Sequence, residues 1–140
     1  MSAVAVSEPV QELRALVERL MDQHRQYASE IEGLNAEVQA EEAVEKLREP
    51  FTSLQDSLTE HMLTEEFEVY PELMRKNLFD STVSSIMQQH HDVTACLGKM
   101  ELSLRLRNLT EFKNALEELA VVLRSHHPAE EEKVFPLVVN

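Results

Sequence analysis

The chain has 140 residues, of which 43% are apolar and 5% aromatic, and its formal net charge is −13. That length suits one domain with a single core, and that charge opposes binding to nucleic acid or to an anionic membrane surface. No apolar run approaches the ~20 residues that cross a bilayer, and a composition rich in Leu, Glu, Ala and Val favours helices over twisted sheets.

Apolar residues recur at alternating steps of three and four, the spacing of one helix face. The first helix is expected over about 7–39, with the seam Leu13, Val17, Leu20, position 24, Tyr27, Ile31, Leu34 and Val38. Ser7 can cap it, and Pro9 is tolerated in its first turn. The stretch "NAEVQAEEA" holds the first turn-round.

The second helix is expected over about 43–70, with Val44, Leu47, Phe51, Leu54, Leu58 and positions 61 and 65 on its seam. Pro50 either kinks this helix or marks where it properly starts, and Pro71 is expected to end it. "KNLFDST" forms the next link, with Asp80 or Ser81 as cap. The third helix, about 81–106, carries Val83, Ile86, position 90, Val93, Leu97, Met100 and Leu104. "RNLT" follows, with Asn108 or Thr110 as cap. The fourth helix, about 110–135, has its seam on Leu109, Phe112, Leu116, Leu119, Leu123 and positions 126 and 130; it contains Pro128 and is expected to end at Pro136. Four amphipathic helices joined by short links imply an all-α, up-down antiparallel four-helix bundle occupying residues 1–140 as one domain.

The seams are interrupted by His24, His61, Glu65, His90, His126 and Glu130. Each helix gives one histidine to its core face, and the second and fourth add a glutamate one turn later. Residues equidistant from a turn lie at one level in an antiparallel pair. The midpoints of His24–His61, Glu65–His90 and His90–His126 all fall in the expected turns. Face and height together place the six side chains in one layer.

"HMLTEEFEVYP" and "HHPAEEEKVFP" align without a gap, His61 to Pro71 against His126 to Pro136. The chain therefore reads as two helical hairpins with approximate two-fold internal symmetry, each supplying a His and then a His-x-x-x-Glu.

Side chains four apart on a helix point the same way, so an imidazole and a carboxylate can converge on one ion. A nitrogen and oxygen set without thiolates argues against zinc–thiolate or iron–sulfur sites. Six ligands exceed one tetrahedral zinc and suit two first-row metals, with iron favoured over manganese or zinc. A lone core histidine is usually just hydrogen-bonded, but four imidazoles and two carboxylates in one layer without Lys or Arg demand compensation. His91 and His127 sit just off the seams and read as neighbours of the ligands or as alternative ligands. Glu66 and Glu131 read as solvated or as orienting groups. Tyr27 reads as core packing or as a hydrogen-bond donor toward the site. Cys96 reads as a small buried residue, its solitary state fitting a reducing cytoplasm, and "MSAVAVSEPV" lacks the basic start and long apolar run of a signal peptide.

On these motifs, with the weaker matches "MDQHRQY" and "QQHHDV", the chain resembles the hemerythrin-like family of HHE cation-binding domains from about Ser7 to Pro136. The resemblance implies a four-helix bundle with a non-haem di-iron centre, oxo- or hydroxo-bridged, held by His24, His61, Glu65, His90, His126 and Glu130. Oxygen carriers of the family have a fifth histidine where this chain has Thr94, and their fourth-helix carboxylate is an Asp one residue further on. The chain thus resembles the branch with four histidines and two carboxylates. The resemblance implies binding of oxygen or nitric oxide for sensing, storage or delivery. The alternative is a di-iron enzyme or iron donor: a peroxidase, a nitric oxide reductase or a factor repairing damaged iron centres.

Overall fold

The computed structural model describes residues 8–40 and 43–140. Helix α1 is Glu8–Gln39 and α2 is Val44–Thr64. A π-helical turn, Glu65–Val69, leads into α3, Tyr70–Arg75. Helices α4 (Ser81–Arg105), α5 (Leu109–Lys133) and α6 (Phe135–Val139) follow. Ser7, the expected first cap, lies outside the described residues.

Helix α1 packs on α2 and on α5, α2 packs on α4, and α4 packs on α5. That closed square is the expected antiparallel four-helix bundle, reached by burying one face of each helix. No described helix is long and apolar enough to cross a membrane.

The links end and restart helices by local chemistry. Asp80 accepts from Val83 N–H at 2.9 Å, and Asn108 accepts from Glu111 N–H at 3.1 Å, so Asp80 and Asn108 are the caps of α4 and α5. Upstream, Asn77 and Arg107 take left-handed backbone angles, with φ of 58° and 56°. The amides that follow reach back to form the wide turn that closes a helix C-terminus: Leu78 N–H to Leu73 O and Asn108 N–H to Ser103 O, both 2.8 Å. Pro50 and Pro128 both lie inside continuous helices.

Two expected endings are corrected. Pro71 does not end the second helical path, which runs on to Arg75, and the fourth continues past Pro136 to Val139. Each proline instead sits in the first turn of a short helix, α3 or α6, where a missing N–H costs nothing. A register break directly precedes it. At the first break Tyr70 N–H bonds Glu65 O, one residue wider than α-helical, and the π turn removes the clash of a mid-helix proline with the carbonyl four residues back. At the second, Val134 departs from helical geometry, with φ of −110°. The first break begins at the glutamate of the repeat itself, Glu65, and the second falls at Val134, four residues after Glu130.

The core has two apolar parts. One contains Tyr27, Leu34, Leu47, Phe51, Leu58, Met100, Phe112 and Leu119 among others. The other gathers Leu16, Leu20, Tyr70, Leu73, Ile86, Phe135 and Val138. Cys96 is buried in the first. Between the two parts lies the layer of histidines and glutamates.

Candidate metal centre

All six residues expected from the seams meet in that layer. His24, His61, His90 and His126 are at most 5% exposed, and Glu65 and Glu130 are fully buried. Their positions follow from the helices: α1 supplies His24, α2 His61, α4 His90, and α5 both His126 and Glu130, while Glu65 opens the π turn.

The ring nitrogens at Nε2 converge on the carboxylates. His90 Nε2 lies 3.0 Å from Glu65 Oε1, and His61 Nε2 lies 3.5 Å from Glu65 Oε2. Glu130 Oε1 is 3.4 Å from His24 Nε2 and 3.3 Å from His126 Nε2. His24 and His61 bring their Nε2 atoms within 3.2 Å of each other. Among the described residues, two groups of potential ligands result, each with ligand atoms within 4.8 Å of one another: His24, His61, His127 and Glu130, and Glu65, His90, His126 and Glu130.

The opposite ring nitrogens are tied outward. His24 Nδ1 lies 3.0 Å from Glu131 Oε2, and His61 Nδ1 2.6 Å from Gln23 Oε1. His126 Nδ1 is 2.8 Å from Gln89 Oε1, and His90 Nδ1 3.4 Å from Glu66 Oε1. Carboxylate and amide oxygens only accept, so each Nδ1 is the donor and each Nε2 of a neutral ring points a lone pair inward. This is how metal-bound imidazoles are oriented. Facing lone pairs at 3.2 Å repel unless a proton or a cation lies between them.

The electrostatics point the same way. Burial, reinforced by Glu130, pushes the Glu65 carboxyl well above its usual range. Burial also opposes ionisation of Glu130, but the rings of His126, His24 and His90 crowded around it outweigh burial and hold this carboxyl low. Burial likewise works against a charged His90, yet Glu130 and Glu65 outweigh it and raise the ring to about 10. The same contest, with Glu130 prevailing over burial, raises His24. His61 goes the other way, lowered to about 3 by burial and then by the charge of His24. Both oxygens of Glu65, Oε1 of Glu130 and Nε2 of His90 have no aligned hydrogen-bond partner. Orphaned buried polar atoms cost on the order of 1–3 kcal/mol each, and a bound cation removes that cost. The donor set therefore fits a metal.

The residues flanking the motifs separate clearly. His127 is buried, its ring stacked on His24 with centroids 3.6 Å apart. Burial, with His24 beside it, lowers His127 to about 2. His91 and Thr94 are exposed on α4 and stay out of the layer. Glu66 and Glu131 stand at the outer ring nitrogens of His90 and His24 and accept from them. Tyr27 donates to the Ser57 carbonyl at 3.0 Å and sets its ring edge-on to His61, so it packs and does not donate into the site. Gln23 and Gln89 are the residues that sequence reasoning overlooked. Their signal is the repeated Gln-His dipeptide in "DQHRQ" and "QQHHD". Tyr70 was also overlooked as a site residue: its hydroxyl donates to Glu130 Oε2 at 2.9 Å, and burial, then Glu130, raises its pKa far enough to keep the phenol protonated.

A cleft of about 360 Å³ between α1 and α5 reaches this layer, with His24 and His127 in its lining beside Ala28, Ile31 and Leu123.

A family model described as the hemerythrin HHE cation binding domain matches residues 15–138. No curated protein and no solved structure matches the chain significantly.

Proposed function

The chain belongs to the hemerythrin HHE cation-binding domain family, and from that premise we propose that it is a non-haem di-iron protein that binds oxygen or nitric oxide for sensing, storage or delivery. The observation that carries this reading is the set of inward Nε2 atoms of His24, His61, His90 and His126 around Glu65 and Glu130, every opposite Nδ1 being held by an acceptor. His24, His61, Glu65, His90, His126 and Glu130 are the proposed ligands. Neutral imidazoles with two carboxylates suit iron in preference to softer-ligand metals. Two glutamates donate less charge than the larger carboxylate set of ferritin-like bundles, which favours reversible ligand binding.

When bound, an iron pair supplies the redox electrons and coordination positions that take up a diatomic molecule. The chain supplies the rest. Gln23, Gln89, Glu66 and Glu131 hold the rings in one tautomer. The two apolar cores wall the layer off from bulk water. The cleft between α1 and α5 gives a small molecule a path to the His24 side.

The test is anaerobic loading with ferrous iron followed by titration with oxygen or nitric oxide. A spectral change that reverses on removing the gas, with no net consumption over repeated cycles, is expected. Sustained consumption of peroxide or nitric oxide would instead establish the enzymatic alternative, and transfer of iron to a damaged iron centre would establish the donor role.

A further inference from the structure

The two halves of the repeat are not chemically equal. Tyr70 follows Glu65 at the distance at which Phe135 follows Glu130. Both rings are at most 1% exposed and belong to the same apolar part of the core. Only Tyr70 carries a hydroxyl, and it crosses the two-fold relation to serve the glutamate of the other half, Glu130. Phe135 has nothing to offer Glu65, whose two oxygens are both without an aligned partner.

The oxygens are divided accordingly. Glu65 splits its pair, Oε1 toward His90 of one ligand group and Oε2 toward His61 of the other. Glu130 turns one oxygen, Oε1, toward both groups, facing His24 and His126, while Oε2 is held by the phenol. A carboxylate that presents one oxygen to cations leaves charge on the other, and in a buried layer that charge needs a donor.

We propose that Tyr70 is a positioning residue that commits Glu130 to bind through Oε1, so that the pseudo-symmetric glutamates present different oxygens and the two metal positions differ. The proposal rests on the paired-metal reading above. It extends that reading by assigning the inequality to one hydroxyl. Without the hydroxyl, Oε2 is an orphaned anionic oxygen next to His90, from which it is 3.8 Å away. It is then free to turn inward toward the ligand groups, as both oxygens of Glu65 face His90 and His61, and the two positions become alike.

The experiment compares iron-57-loaded wild type, Tyr70→Phe, and Tyr70→Phe combined with Phe135→Tyr by Mössbauer spectroscopy, with iron counted in each sample. Wild type is expected to hold two irons with distinct quadrupole splittings. Tyr70→Phe is expected to retain both irons while the difference between the splittings falls by about half or more. The combined variant, which moves the hydroxyl to the other half of the repeat, restores a difference. Tyr70→Phe with two irons and the wild-type spectrum overturns the proposal and leaves the paired-metal reading standing. Wild type holding fewer than two irons overturns both.

Discussion

The amide oxygen of Gln23 lies 2.6 Å from Nδ1 of His61, and that of Gln89 stands in the same relation to His126, at 2.8 Å. Each glutamine sits immediately before the histidine of its own helix but orients the histidine of the neighbouring helix. The hairpins are thus cross-braced at the height of the site. Replacing Gln23 or Gln89 by Leu removes the acceptor while keeping the bulk, and is expected to weaken metal affinity ~10–100-fold. Competition against a chelator of known affinity measures this. Unchanged affinity in both variants would show that the rings are oriented by packing alone.

Metal removal is expected to lower stability. A ligand at 100 times its Kd stabilises the folded chain by ~2.7 kcal/mol, and here it also relieves the orphaned oxygens of Glu65 and Glu130. Calorimetric melting with and without a chelator is expected to show the largest gap near and above neutral pH. The gap narrows in acid, where protons compete for the histidines. Superimposable melts at pH 7.5 would contradict this.

The metal-free protein has a pH dependence of its own. His61 and His127 titrate at about 3 and about 2 in the fold, against ~6.5 in an unfolded chain. The unfolded chain therefore takes up protons that the folded chain excludes. The stabilising contribution of these two residues is full above pH ~6.5 and is lost as the pH falls toward their folded values. His90, raised to about 10, has the opposite sign: its contribution is full below ~6.5 and is lost as pH rises through about 10. Urea midpoints of the metal-free protein are expected to fall on both sides of neutrality. His127→Gln is expected to flatten the acid limb. Parallel curves for wild type and variant between pH 6.5 and 4 would exclude His127 as a contributor.

Gly33 and Gly98 lie inside α1 and α4, and a Cβ added at either meets nothing within 4 Å. Alanine at each is expected to add ~0.5–1 kcal/mol of stability by restricting the unfolded chain and favouring the helix. Chemical denaturation of the two single variants and the double variant checks this, with additive gains expected because the sites are independent.

The six proposed ligands were legible in the sequence because two separate regularities agreed: the three-four seam fixed the face, and the turn midpoints fixed the height. Their neighbours were harder to read. Gln23 and Gln89 lie one position off the seam and are partly exposed, so their polarity looks like that of a solvated helix flank. His91 and His127 each follow a seam histidine, yet His91 faces solvent and His127 stacks on His24. Which flank of a helix meets a neighbour depends on the bundle as assembled. The break ahead of each short helix was marked only by Pro71 and Pro136. A hydrogen bond one residue wider than α-helical leaves no periodic trace in so short a segment, and the prolines read as ends because in a straight helix they would be.

The central claim is that Glu65 and Glu130, with the four inward imidazoles, hold a pair of metal ions. The most direct test is the number of iron ions retained per chain after anaerobic loading and desalting, in wild type, Glu65→Ala and Glu130→Ala, with folding checked by circular dichroism. Two ions in wild type and the loss of at least one in each folded variant is the predicted result. Full occupancy in both variants would contradict it.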